Sequence, residues 1–338
     1  MGSKERGISS LVDALLALRE RMSALSTSMS WVGRMPSKVA ITVLVFGLVA
    51  VFCLVTWNFT KAVPTFLPGD ERLEGGDERR GALVFAAASC SSCHATPGQT
   101  DRHKLGGGLA LASPYGTFRA PNISSDRTDG IGSWSASDIG NALVVGISPD
   151  REHYYPTFPY TSYTGITLAD LRDLIAYMRV LPPVTGRPPP HDIPILLRFR
   201  PFIAFWKLLY FIEGQTQGEK NGDALHDRGG YLVEALVHCA ECHSTRNVMG
   251  AIQPSTRFAG GPDPEGTGFV PNITPSRIGS WTENDIATML ATGETPNHGR
   301  VGSSMADVVE NTSTLPETDL QAIARYIKSL PSRHTPKP

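Results

Sequence analysis

Four of the five cysteines in this 338-residue sequence stand in two tight pairs, Cys90/Cys93 and Cys239/Cys242, and each pair runs directly into a histidine, His94 and His243. Three chemistries use groups of this kind. Two Cys-x-x-Cys pairs could together supply the four ligands of a zinc site, but zinc gives no reason for a histidine to follow each pair at the same place. A thioredoxin-like dithiol needs a βαβ setting, which the surrounding residues do not suggest. Covalent attachment of haem uses every group present. On a helix, cysteines three apart share a face, so each can bond one vinyl group, and the adjacent histidine presents a nitrogen to the iron. The sequence therefore predicts two covalently bound haem c groups, held by Cys90 and Cys93 and by Cys239 and Cys242, with His94 and His243 as iron ligands.

The sixth ligand decides what each iron does. Gly146-Ile147-Ser148-Pro149 aligns without gaps against Gly293-Glu294-Thr295-Pro296, and the same register sets Phe158 against Met305. A Met305 thioether opposite His243 would give His/Met coordination and a raised reduction potential. Met249 and Met289 are the competing methionines. Phenylalanine cannot ligate iron. The first haem is then either five-coordinate or reached by another group, His153 or, less directly, His103. A plain surface histidine is the competing reading of His153.

The elements that must position these groups occur twice. Ala120-Pro121-Asn122-Ile123 returns as Val270-Pro271-Asn272-Ile273, and Ile131-Gly132-Ser133-Trp134 as Ile278-Gly279-Ser280-Trp281. Ser137-Asp138-Ile139 and Asn284-Asp285-Ile286 share a helix-start pattern, and both copies end a helical stretch in Leu-Pro, Leu181-Pro182 and Leu330-Pro331. Each copy reads as a helix holding the cysteine motif, a Gly/Pro-rich loop, a middle helix, another loop and a terminal helix. β-Branched alternation is scarce. The expected fold is all-α, with two tandem domains over residues 75–184 and 219–333 and a prosthetic group supplying much of each core. A linker rich in proline and aromatics, residues 185–218, joins them. Within it Leu196–Ile212 reads as a helix covering both domains or as a contact for a membrane surface or partner. A hydrophobic content of 41 % supports real cores, and a formal net charge of −1 gives no argument for nucleic acid.

Val39–Phe59 is a run of 21 residues without a charged side chain, long enough to cross a bilayer as a helix. It is expected to be an uncleaved anchor, residues 37–60. Six basic residues against three acidic ones precede it, which places the amino terminus in the cytoplasm and the motifs in the periplasm of a bacterial inner membrane. Within residues 1–36, Ile8, Leu11, Val12, Leu15, Leu18, Met22 and Leu25 recur at helical spacing. They suggest an amphipathic helix, on the membrane or against a partner helix, or a loosely ordered extension.

The order Cys-x-x-Cys-His, Pro-Asn-Ile, Ile-Gly-Ser-Trp, Tyr155-Pro156-Thr157-Phe158-Pro159-Tyr160, Trp206-Lys207-Leu208-Leu209 and Ser304-Met305-Ala306 resembles the multihaem cytochrome subunits of periplasmic alcohol and gluconate dehydrogenases, from about Gly81 to Pro331. The resemblance implies tandem class I cytochrome c domains that take electrons from a quinoprotein or flavoprotein partner and pass them to quinone or a terminal oxidase. It also implies that the Pro121 and Pro271 carbonyls accept the second N–H of the axial histidines. This sequence departs from those subunits in three ways: two haem motifs where three are common, Phe158 where many carry methionine, and an anchor in place of a cleaved signal. No Ser/His/Asp set, phosphate loop or carboxylate pair suggests catalysis by side chains. The expected role is therefore an electron carrier rather than an enzyme. A dihaem peroxidase-like protein with an open first haem, and a subunit tethering a larger respiratory complex, are the rival readings.

Overall fold

The computed structural model describes residues 37–214, 218, 220–263 and 268–336. The expected amphipathic segment at residues 1–36 lies outside them. Helix α1, Ser37–Thr60, is 24 residues long, and its large apolar side chains, Ile41, Leu44, Phe46 and Leu48 among them, are exposed. It belongs to a unit separate from the one that begins at Lys61. Among the described residues no helix is long and apolar enough to cross a membrane; the side chains at positions 52, 53, 55 and 57–59 of α1 are outside that set.

The first copy runs through α2 (Glu78–Ala87), α3 (Cys90–His94), a ribbon of β1 (Ala110–Ser113) and β2 (Gly116–Arg119), α4 (Ala136–Val145), α5 (Tyr160–Tyr163) and α6 (Leu168–Val180). A 3₁₀ turn, Ile195–Arg198, leads to the linker helix α7 (Pro201–Tyr210). The second copy runs through α8 (Ala224–Tyr231), the short ribbon β3 (Gly261–Pro262) and β4 (Phe269–Val270), α9 (Pro275–Ile278), α10 (Glu283–Thr292), α11 (Ser304–Thr312) and α12 (Glu317–Ser329). Both middle helices open with capping boxes, Ser135 with Asp138 and Thr282 with Asp285, which satisfy the first free amides. Both end on a left-handed glycine, Gly146 or Gly293.

In each copy the entry helix crosses the terminal helix at a glycine. A Cβ on Gly81 would lie 2.0 Å from the Asp173 carbonyl oxygen, and one on Gly229 would lie 1.9 Å from that of Ala322. Only a residue without Cβ permits such an approach. The crossing brings Leu171, Leu174 and Ile175, and in the second copy Leu320 and Ile323, into a core that runs without a break through both copies.

Two local expectations need correction. The fold is mostly helical but not all-α: both copies carry an antiparallel ribbon, paired from Ala110↔Arg119 to Ser113↔Gly116 and at Gly261↔Val270 and Pro262↔Phe269. Each ribbon returns the chain to the proline of its Pro-Asn-Ile segment. The second cysteine motif also does not sit on an α-helix. The backbone widens into a π-turn over Leu232–Leu236, reverses at left-handed His238 (φ 46°) and tightens to a 3₁₀ turn at Cys239–Glu241. Ser89 (φ 50°) makes the matching reversal before α3.

Candidate haem sites

The histidine that follows each cysteine pair is fixed by the same three features. His94 Nδ1 lies 2.9 Å from the Pro121 carbonyl oxygen, and His243 Nδ1 lies 2.7 Å from that of Pro271. A carbonyl can only accept, so Nδ1 carries the proton and Nε2 keeps a lone pair. Burial holds both imidazoles below their ordinary pKa, against the pull of the proline carbonyl. They are therefore neutral near pH 7, as an iron ligand must be. Their backbone carbonyls accept from Gly107 and Gly260, each at 2.9 Å. Both glycines are left-handed and pass so close to the proline segment that a Cβ would collide with its backbone.

The asparagine of each Pro-Asn-Ile repeat locks this segment to the chain leaving the terminal helix. Asn122 Nδ2 donates to the carbonyls of Val184 (2.7 Å) and Gly186 (2.9 Å), and Asn272 Nδ2 to that of Arg333 (2.8 Å). The side-chain oxygens accept from the backbone amides of Ser124 and Thr274. Sequence comparison of the copies showed that Asn122 and Asn272 repeat but not what they clamp.

The cysteine environment suits thioether formation better than thiolate chemistry. Burial pushes the Cys90 and Cys239 thiols up to about 12, where neither supplies a thiolate near neutral pH. Among the described residues no group of three or more His, Cys, Asp or Glu side chains is placed to hold a metal ion. The two pairs are thus not assembled into a four-ligand zinc site. In the first copy a cavity of about 460 Å³ is lined by Ile131, Trp134, Ile139 and Met178 and by the Arg127 and Arg179 side chains. Cys90, Cys93 and His94 are not among its lining residues, so the fit to haem c rests on the paired thiols and the proline-held imidazoles themselves. The residues fit haem c.

The two motifs are brought against one another. Tyr163 Oη donates to the Ala88 carbonyl at 2.8 Å, two residues before Cys90, while its ring meets that of His238, next to Cys239, at 5.5 Å. Thr161 and Ser162, also on α5, donate to Glu241 inside the second motif, and Arg246 neutralises that carboxylate at 2.6 Å. From the other side, Asn311 on α11 accepts from Ser91 (2.9 Å) and donates to Ser92 (3.0 Å), both inside the first motif. Each copy's short helix after the ligand loop therefore braces the other copy's cysteine motif. Sequence reading gave no sign of Tyr163, His238 or Glu241 in this role, because each contact joins residues 75 or more apart.

The loops expected to carry the sixth ligand share one register. Ile147 pairs with His153 and Glu294 with Arg300 in matching antiparallel bridges. Met305 stands in the first turn of α11, half-buried and packed on the core. Phe158 packs among Tyr154, Tyr160 and Tyr163, with ring centroids 5.9–6.3 Å apart. Met249 is largely exposed, and Met289 packs on the core. His103 lies at the surface beside Asp101. His153 is buried, which overturns the surface reading of it. Its Nδ1 lies 3.1 Å from Lys207 Nζ, and its carbonyl accepts from Arg200. Lys207 Nζ also donates to the carbonyls of Val145 (2.6 Å) and Gly146 (2.8 Å), and burial brings its pKa down to about 7.

Comparison with known proteins agrees with this geometry. Residues 78–182 match the family model for cytochrome c. The chain is 44 % identical over 264 residues to a dihaem cytochrome c-type protein of Cereibacter sphaeroides, covering 76 % of this chain and 87 % of that one. It is 37 % identical to a fructose dehydrogenase cytochrome subunit of Gluconobacter japonicus and 34 % identical to the cytochrome c subunit of a quinone-linked alcohol dehydrogenase of Gluconacetobacter polyoxogenes. Each of these matches covers 75 % of this chain, but only 52 % and 56 % of the respective relative, so the chain spans about half the length of those two subunits. Repeated motifs, proline-held histidines and these similarities together place the chain in the family of dihaem c-type cytochromes, electron carriers with covalently bound haem c rather than enzymes.

Proposed function

We propose that this chain is the electron-transfer subunit of a periplasmic dehydrogenase, held to the bacterial inner membrane by α1 with residues 1–36 in the cytoplasm. The observation that carries the reading is the mutual bracing of the two cysteine motifs through Tyr163 and Asn311. A carrier that must pass electrons internally needs its two redox centres held close and at fixed separation. When bound, each haem supplies a one-electron couple, and the protein sets potential, spacing and docking. Pro121 and Pro271 fix the imidazole tautomer and strengthen the ligand. Met305 completes the second site, where a thioether favours the ferrous state. At the first site Phe158 offers no donor. His153 Nδ1 lies 3.1 Å from Lys207 Nζ, which ties the ring to the linker helix. The first haem is accordingly five-coordinate in our reading.

The anchor rests on the uncharged run of 21 residues and the length of α1, which at ~1.5 Å per residue reaches ~36 Å, and on the basic excess before it. The donor class rests on the similarity to the cytochrome subunits of fructose and alcohol dehydrogenases. Purification from native membranes with mass spectrometry of the accompanying proteins tests it. A flavoprotein or quinoprotein dehydrogenase whose substrate reduces the bound haem is expected. A chain that purifies with no dehydrogenase, and whose haem no such enzyme reduces, would end the proposal. Protease added to intact spheroplasts should digest the cysteine-motif domains and spare the amino terminus.

A further inference from the structure

The linker helix has two faces of different standing. Its inner face joins the copies: Lys207 donates to Val145 and Gly146 of the first, and Trp206 Nε1 donates to the Met249 carbonyl of the second at 2.8 Å. Its outer face is exposed among the described residues. Phe199, Phe202, Phe205, Leu208, Leu209 and Ile212 are all 46–65 % exposed. Single exposed apolar residues are ordinary, but a contiguous row on one helix marks a contact surface. Val248, 91 % exposed, extends the apolar surface onto the second copy beside Trp206, and the Tyr115 hydroxyl holds its carbonyl at 3.0 Å.

We propose that this outer face of α7 lies in the headgroup–acyl boundary of the bilayer that holds α1. The inference rests on the anchor reading given above. Chain connectivity selects lipid over a protein partner. α1 ends at Thr60, and the chain is pinned again at Thr65 and Phe66, whose amides both donate to Asn141 Oδ1 at 2.9 Å. The Thr65 hydroxyl donates to Glu213, three residues past the end of α7. Five Cα steps separate Thr60 from Thr65, so the end of the anchor can be no further than about 18 Å from that pin. The Ile212 end of the apolar row, beside Glu213, is thus tied by a short stretch of chain to the anchor. The row's Phe/Leu composition, with exposed Arg198 available to anionic headgroups, is that of a helix lying in the interface plane.

The full-length holoprotein, placed in nanodiscs of phosphatidylethanolamine and phosphatidylglycerol containing a phospholipid with a diazirine in its acyl chain, tests this by photolabelling and peptide mass spectrometry. Lipid adducts are expected on two peptides, the α1 segment and residues 199–212. The full-length variant carrying Phe202→Ser, Phe205→Ser and Leu209→Ser should lose the second set and keep the first, with its haem spectrum unchanged. Adducts on α1 alone overturn the inference and leave the anchor standing, whereas adducts on neither overturn both. In native membranes, cross-links from residues 199–212 to protein in place of lipid would assign the face to a partner and overturn it as well.

Discussion

The two copies agree in how they hold the histidine and part company in the loop that should carry the second axial ligand. Pro121 and Pro271, Gly107 and Gly260, and Asn122 and Asn272 do the same work at nearly the same distances. Past the matching bridges Ile147↔His153 and Glu294↔Arg300, one loop leads to half-buried Met305, and the other packs half-buried Phe158 among three tyrosines and ties His153 to Lys207. A duplicated domain has kept the attachment machinery twice and the thioether once. Covalent attachment tolerates little change, because the cysteines and histidine must meet one rigid macrocycle. The sixth position sets potential and access, and can diverge without loss of the cofactor.

The largest effect should come from the cysteines. Cys90→Ser with Cys93→Ser, or Cys239→Ser with Cys242→Ser, should each leave a protein one haem mass lighter by denaturing mass spectrometry, while the unmodified chain carries two. Next, magnetic circular dichroism should count one methionine-ligated haem, and Met305→Ala should abolish its far-red band and lower one of the two potentials. If the first iron is five-coordinate, as proposed, carbon monoxide should bind about half of the reduced haem before any substitution; if His153 reaches it, little should bind until His153→Ala opens the site. Two methionine-ligated haems would break the comparison outright. Smaller and symmetrical effects are expected at the helix crossings. Gly81→Ala and Gly229→Ala should each destabilise the fold by about 1–3 kcal/mol in denaturant titrations, because the added Cβ meets a backbone carbonyl that can move only with its helix.

The smallest effect belongs to an ion pair that the copies make differently: Arg80 pairs with Asp173, while the matching Arg228 pairs with Asp319. Asp173 accepts from Arg80 at 2.6 Å and from the Asp77 amide at 2.7 Å, whereas the matching position in the second copy is Ala322. Burial pushes the Asp173 carboxyl up, but Arg80 and the Asp77 amide together hold it below its ordinary value of 3.8. The stability it contributes is complete above that value and is lost as pH falls through the lowered one. Asp173→Asn should therefore lower stability at neutral pH, with the difference disappearing as pH falls through the lowered value, so that the acid limb of the stability–pH curve flattens. Arg80 is well exposed, so the difference is modest.

What the sequence made legible was what short spacing encodes. The Leu-Pro helix ends act within a few residues and cap α6 and α12 as expected, whereas the middle helices are capped by Ser135 and Thr282, two residues before the expected starts, and only the first Cys-x-x-Cys-His stands on an α-helix. The Phe158/Met305 correspondence was legible because duplication supplied an internal reference, and the matching bridges keep that register. The ribbons escaped notice because β3 and β4 are two residues each, too short to show alternation. The π-turn before Cys239 also has no periodic signature. The contacts of Tyr163, Asn311 and Lys207 leave no local signature, since their partners lie 54–220 positions away. For α7, amphipathic composition was visible from the start; which face the domains would claim depended on Lys207 and Trp206 reaching carbonyls in different copies.

The reciprocal bracing of the motifs also bears on divisibility. Beads on a string can be cut, shuffled or trimmed one at a time, and many repeat proteins grow and shrink that way. Here each half lends the other a short helix, so a break in the proline-rich stretch 182–194 would free two ends without freeing two carriers. Ser91 and Ser92 would lose Asn311, and Glu241 would lose Thr161 and Ser162. A nicked chain should stay associated, and either half made alone should expose the apolar seam now shared between them. Duplication gave this protein its second motif; mutual dependence has since made the pair a single inheritable part.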